Sequence, residues 1–209
     1  MTLAKNAEEY IAQQRQGLAM NPDCGTTRYN LAVALLGQKK YDEAERELKE
    51  ALSSSPTLAE AYVQLGGICL QRGDLEGCLA YNEKAVQTRA GFSIGYGNIG
   101  FVHLQKGEPE KAIVALKKAI SYNSKFIQAH ASLANAYFMQ GDLEKSIESS
   151  KKAIELEPNF PVPYHNLALA LFEKKDYSAA IENCDKAIAL GYEVPQGFLD
   201  ELAPYRNAE

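Results

Sequence analysis

The sequence predicts an all-α fold, a solenoid of tandem helix pairs, and three columns of residues recurring every 34 positions carry that prediction. The first is a tripeptide: Asn30-Leu31-Ala32, Gln64-Leu65-Gly66, Asn98-Ile99-Gly100, Ser132-Leu133-Ala134 and Asn166-Leu167-Ala168. The second is an alanine column without exception, Ala51, Ala85, Ala119, Ala153 and Ala187. The third holds only small residues, Ala44, Cys78, Ala112, Ser146 and Ala180. Self-similarity at a fixed period of this length marks a repeat architecture, in which each unit buries its apolar face against its neighbours.

The elements follow in order. Residues 1–24 hold a solitary helix from Ala7 to Met20; Asn21-Pro22 then stands one period before Pro56. Five units follow at 25–58, 59–92, 93–126, 127–160 and 161–194. Within a unit, positions 4, 7, 8 and 11 are apolar or small at helical spacing, as in His130, Leu133, Ala134 and Tyr137. Gly141 then stops the first helix, because glycine takes the left-handed conformation of a helix C-cap. Asp142 and Glu144 open the second helix, where negative charge meets the positive end of the macrodipole, and Pro158 closes it. Small residues at 8, 20 and 27 let the two backbones interlock closely. Residues 195–209 carry a short amphipathic helix with Phe198, Leu199 and Leu202 inward, suited to cap the array. The expected total is twelve helices and no strand.

These features resemble the tetratricopeptide repeat (TPR) family: the period, Leu-Gly or Leu-Ala at positions 7–8, and alanine at 20 and 27. Gly73, Gly107 and Gly141 at position 15, with Pro56 and Pro158 at position 32, match the family's turn residues. Departures are Lys39 and Lys175 for the turn glycine, and Ala90, Ser124 and Tyr192 for the closing proline. The aromatic usual at position 24 is replaced by Leu48, Asn82, Leu116, Ser150 and Cys184. The resemblance implies a right-handed superhelix and a protein-binding scaffold or adaptor.

At 100° per residue, positions 4, 7, 8 and 11 share a sector near about 30°, and positions 2, 5, 6, 9, 12 and 13 span about 120–240°. In TPR proteins the second set lines a concave groove. Here it holds no Lys and no Arg in any unit, whereas the TPR subclass that grips a terminal carboxylate needs them. What remains is a row of carboxamides flanked by apolar surface. The expected peptide-binding residues are Asn30, Val33, Gln64, Asn98, Phe101, Asn135, Phe138, Asn166, Leu169 and Phe172. Amides that donate and accept suit a peptide backbone, and buried aromatic pockets suit its side chains. The competing reading packs position 12 between repeats and turns the Asn column onto neighbouring carbonyls. The partner expected is a protein or peptide segment, with a homo-oligomer as the alternative.

Composition narrows the rest. With 22 basic and 27 acidic residues among 209, the chain lacks the cationic excess a nucleic-acid binder needs. No apolar run approaches a membrane span, the first residues lack an export signal, and four scattered cysteines fit a reducing cytoplasm. No nucleophile, base and metal-ligand cluster converges in the pattern, so no catalysis, metal or cofactor is expected. Gly95-Tyr96-Gly97-Asn98-Ile99-Gly100 matches a dinucleotide fingerprint only in letters, because it falls in mid-helix. Cys69 and Cys78 read as interface packing, and His103 as a substitute core aromatic. The lysine column Lys84, Lys118, Lys152 and Lys186, with Lys117 and Lys151 beside it, reads as a solvated outer face. Glycines at 66, 67, 91, 95, 97 and 100 predict locally soft second and third units, the alternative being backbone bared for a close neighbour.

Overall fold

A computed structural model of the chain describes residues 6–206; the remaining residues of the expected first and last segments lie outside the described residues. Twelve helices and no strand are present among them. They are α1 (Ala7–Met20), α2 (Gly25–Gly37), α3 (Tyr41–Ser54), α4 (Ala59–Gln71), α5 (Leu75–Thr88) and α6 (Ser93–Gln105). Then follow α7 (Pro109–Tyr122), α8 (Ile127–Gln140), α9 (Leu143–Leu156), α10 (Val162–Glu173), α11 (Tyr177–Ala189) and α12 (Gln196–Arg206). The chain divides between Asn98 and Ile99 into two compact units.

The turns explain why the departures from the family pattern are tolerated. Position 15 is left-handed throughout: Lys39 (φ 58°) and Lys175 (φ 65°) adopt the conformation that Gly73, Gly107 and Gly141 adopt. A lysine there costs on the order of 1 kcal/mol that glycine avoids. The turn forms nonetheless because Lys40 and Asp176 donate their amides to Leu35 and Leu171 (3.0 Å each), as Asp142 does to Tyr137 (2.9 Å). Asp74, Asp142 and Asp176 cap the helices that follow by accepting from Gly77, Lys145 and Ala179 (2.8, 3.1 and 3.3 Å).

In the first unit α2 packs on α3 and α4 on α5, around a core of Leu31, Leu35, Leu48, Leu65 and Ile68 that α1 joins through Ile11. In the second unit α8 packs on α9 and α10 on α11, and α12 closes the end with Phe198 and Leu202 buried and Leu199 half-buried. The alanine column from Ala51 to Ala187 is fully buried at all five positions.

Glycine density does not reflect softness at the interlocking positions. A Cβ on Gly66 would lie 2.5 Å from the Asn82 amide nitrogen, one on Gly95 2.7 Å from Val86, and one on Gly100 2.5 Å from Leu116 Cγ. These helices approach because no side chain stands between them; Gly67, by contrast, faces open space. Asn82 takes the place of the usual aromatic by polar means. It is completely buried, donates Nδ2–H to the Cys78 carbonyl (2.8 Å), and accepts at Oδ1 from Asn98 (2.9 Å).

Candidate functional site

The site begins with which groove positions remain open. Positions 2, 9 and 13 carry most of the exposed side chains, among them Val33, Gln71, Ile94, Phe101 and Met139, and Leu70 at position 12 is exposed as well. Positions 5 and 12 lie at one edge of the expected sector and position 6 at the other, so adjacent helices reach them first. Ala131 and His165 at position 5, and Leu104 at position 12, are buried accordingly. The open face is therefore narrower than the sequence predicts, centred near about 200° on the helical wheel.

In the first unit, Asn30 and Val33 on α2 line a cleft of about 400 Å³ with Tyr29, Asn6 and Tyr10, the last contributed by α1. Val33 is 40% exposed. Gln64 on α4 is half-buried, and neither it nor Asn30 has a side-chain hydrogen bond to any described residue. Asn98 is different: its amide is committed to Asn82. Tyr10 was not among the expected residues, because it precedes the repeat register and no column flags it.

In the second unit, Phe101 on α6 is 38% exposed and Asn135 and Phe138 on α8 are half-buried. Asn135 carries no hydrogen bond to a described residue. The last repeat departs from expectation. Asn166 is buried and donates Nδ2–H to the Ala131 carbonyl at 2.9 Å, the turned-in arrangement that competed with peptide binding. Phe172 makes edge contacts with Tyr177, Phe198 and Tyr205 at 5.4, 5.6 and 6.0 Å, and Leu169 packs into the same cluster. For Leu169 and Phe172 the cause is α12, which packs against α10 and α11, whereas Asn166 is turned toward α8. Asn166, Leu169 and Phe172 thus belong to internal packing.

Other titratable groups are structural. His165 is buried against Tyr192 (4.8 Å) and Phe198 (5.8 Å), its Nδ1 has no partner, and burial lowers its pKa. His103, mostly shielded, pairs with Glu108 (2.7 Å), which holds that carboxyl below its ordinary value. All four cysteines are free thiols. Burial, reinforced by nearby Cys69, pushes Cys78 up to about 11, and burial also raises Cys69 and Cys184. Only Cys24 is lowered, by the hydrogen bond from Thr27 (3.0 Å). The fingerprint-like Gly95–Gly100 stretch lies inside α6, so its amides close helical bonds and are not free to bind phosphate. Among the described residues no group of three metal-ligating side chains gathers, and no helix is long and apolar enough to cross a membrane.

Comparison with known proteins agrees with this architecture. Tetratricopeptide repeat models match residues 35–91, 100–141, 134–175 and 163–190. The chain belongs to the tetratricopeptide repeat family. No curated protein sequence matches it. Among solved structures it is similar to that of the APC/C hetero-tetramer Cut9–Hcn1, with TM-score 0.80 and 19% identity over 94% of this chain and 39% of that one. It is also similar to MamA from Desulfovibrio magneticus RS-1, with TM-score 0.70 and 24% identity over 80% and 95% of the two chains. A third is YrrB, a TPR protein with an unusual peptide-binding site, with TM-score 0.68 and 19% identity over 85% and 92%. At these identities the likeness is one of fold. That fold is a protein–protein interaction scaffold and typically a non-catalytic one.

Proposed function

We propose that this chain is a scaffold or adaptor that binds an apolar, uncharged or mildly basic peptide segment along the exposed face of its first helices. One observation carries the reading. Of the ten large hydrophobic side chains exposed among the described residues, five (Val33, Leu70, Ile94, Phe101 and Met139) fall on the six groove positions of the repeat, and a sixth, Tyr10, lines the cleft beside Val33. Exposed apolar side chains that share a helix face within each unit, Val33, Leu70 and Ile94 in the first and Phe101 and Met139 in the second, mark interaction surfaces, whereas scattered ones need no explanation. Beside them Asn30, Gln64 and Asn135 keep uncommitted amides that can pair with a peptide backbone. The absence of Lys and Arg from these positions argues against a carboxylate clamp. A similar structure, YrrB, is itself a peptide-binding TPR protein, which fits. The working array comprises the five repeats of residues 25–194, flanked by segments 1–24 and 195–209 that contribute α1 and α12, in a cytoplasmic protein.

The test is selection of peptides from a displayed library on the intact chain, followed by affinity measurements on Val33→Asp, Phe101→Ala and Asn135→Ala. Loss of at least about tenfold in affinity, roughly 1.4 kcal/mol, with unchanged melting supports the reading. Unchanged affinity in all three variants overturns it. A second reading, self-assembly through outer helix faces, draws on Val114 and Tyr122 of α7, which are 59% and 54% exposed. Light scattering over a dilution series separates the two, since a homo-oligomer that persists on dilution favours self-assembly.

A further inference from the structure

The lysine column is not uniform around the second unit. A cleft of about 240 Å³ opens between α7, α8 and α9, and Lys117, Lys145 and Lys152 stand on its walls. Its floor is apolar, formed by Ile120 and Leu133 beside the ring of Tyr137. Lys117 Nζ and Lys145 Nζ both approach that ring, 5.8 and 5.4 Å from its centroid, so one aromatic ring draws two ammonium groups. Ser149 and His130 add polar groups to the wall. The single carboxylate lining the cleft is Glu148, leaving two positive charges in excess in a chain whose net charge is −5.

This convergence occurs once in the repeat pattern. Three positions meet here: 25 of one repeat with 19 and 26 of the next. They read Lys49, Gly77 and Lys84 at the first junction, Glu83, Lys111 and Lys118 at the second, and Lys151, Ala179 and Lys186 at the fourth. Only the third junction supplies Lys117, Lys145 and Lys152 together. Lys145 and Lys152 each have a carboxylate one turn away on their own helix, Asp142 and Glu155. Such exposed pairs are weak, because water screens them, so a doubly charged ligand displaces them readily. Lys117 makes no ion pair among the described residues and leans on Tyr137 alone.

We propose that this cleft binds a phosphoryl dianion, held by Lys117, Lys145 and Lys152. Three lysines lining one small cleft match a charge of about −2 better than that of a single carboxylate, since charge-assisted hydrogen bonds strengthen with the charge on the acceptor. At about 240 Å³ the cleft is smaller than the roughly 300–1,000 Å³ of small-molecule sites, a size that suits a phosphate or a phosphorylated side chain. The site stands on α7–α9 outer surface and is independent of the peptide reading above.

The experiment titrates the intact chain with inorganic phosphate, and separately with O-phosphoserine, at constant ionic strength, following the ring resonances of Tyr137 and His130. The expected result is a saturable shift for phosphate at pH 7.5 that weakens as the probe becomes a monoanion at pH 5.5. Lys117→Gln is expected to weaken binding at least about fivefold and Lys117→Gln/Lys152→Gln to abolish saturation. Lys174→Gln, which removes a pair with Glu144 elsewhere in the same unit, leaves it unchanged. Tighter binding of O-phosphoserine than of phosphate identifies a phosphorylated side chain as the source, and the reverse identifies the free ion. No saturable shift with either probe, or equal weakening by Lys174→Gln, overturns the proposal.

Discussion

The close approach at Gly100 makes a sharp prediction, because the repeat pattern and the packing point in opposite directions there. Position 8 is alanine in Ala32, Ala134 and Ala168, so the pattern alone recommends Gly100→Ala as a stabilising change. Replacing a mid-helix glycine by alanine gains about 0.5–1 kcal/mol. The new methyl, however, would sit 2.5 Å from Leu116 Cγ, 2.8 Å from its Cδ2 and 3.3 Å from the Ala112 carbonyl oxygen. Leu116 is fully buried and cannot swing aside, and its Cγ is a branch point with little freedom. Overpacking of this kind costs about 1–3 kcal/mol. The net expectation is destabilisation of about 1 kcal/mol. Gly67→Ala supplies the comparison: its methyl meets nothing within 4 Å, so the propensity gain stands alone. Urea unfolding followed by circular dichroism should therefore move the two midpoints in opposite directions. In a chain of this length, 1 kcal/mol is a melting shift of about 2–4 °C. Equal stabilisation by both substitutions would refute the interlocking account of these glycines.

Other expectations follow from the buried polar groups. His165 has a folded pKa below its unfolded one, so the unfolded chain takes up the proton first and stability falls as pH drops below about 6.5. His165→Phe should flatten that acid slope, measured as melting temperature from pH 7 to pH 5. Thiol labelling at pH 7.5 should modify Cys24 first, Cys69 more slowly, and Cys78 and Cys184 only on unfolding; early loss of Cys78, read by mass spectrometry of peptides, would contradict its burial. Asn166→Ala removes a buried side-chain bond to the Ala131 carbonyl, which keeps its helical partner in α8, and should cost about 1 kcal/mol of stability while sparing peptide affinity. Asp142→Ala, which removes the cap on Lys145 N–H, should lower the unfolding midpoint in the same assay, while Asp142→Asn, which still accepts that bond, should largely preserve it.

The fold was legible because its determinants repeat. A column such as Ala51 to Ala187 states five times that two backbones touch, and chance cannot hold that register. The turns at Lys39 and Lys175 were legible for the same reason, since position 15 fixes the conformation even where the residue resists it. The site was legible only in part. Periodicity places a residue on a helix face but does not say how far the neighbouring helix reaches across it. Asn30, Asn98 and Asn166 share one column, yet the first keeps its amide free, the second meets Asn82, and the third meets a backbone carbonyl. Asn82 itself follows from a pairing the pattern does not contain: the glycine at 66 leaves open the space that the Asn82 amide fills. Tyr10 and the lysine cleft depend on contacts between residues of different elements, and such contacts become visible only in three dimensions.

The aromatic lid at the C-terminus has a bearing on how copies of this chain can associate. Phe198 sits against Phe172, and Tyr205 stacks on Tyr177 with centroids 3.6 Å apart, so α12 occupies the ledge on which another hairpin would otherwise rest. A second molecule seeking to prolong the row at this terminus must first peel that helix away, exposing Leu202 and Cys184 to water. A hairpin from another copy thus reaches the α10–α11 ledge only after α12 has left it.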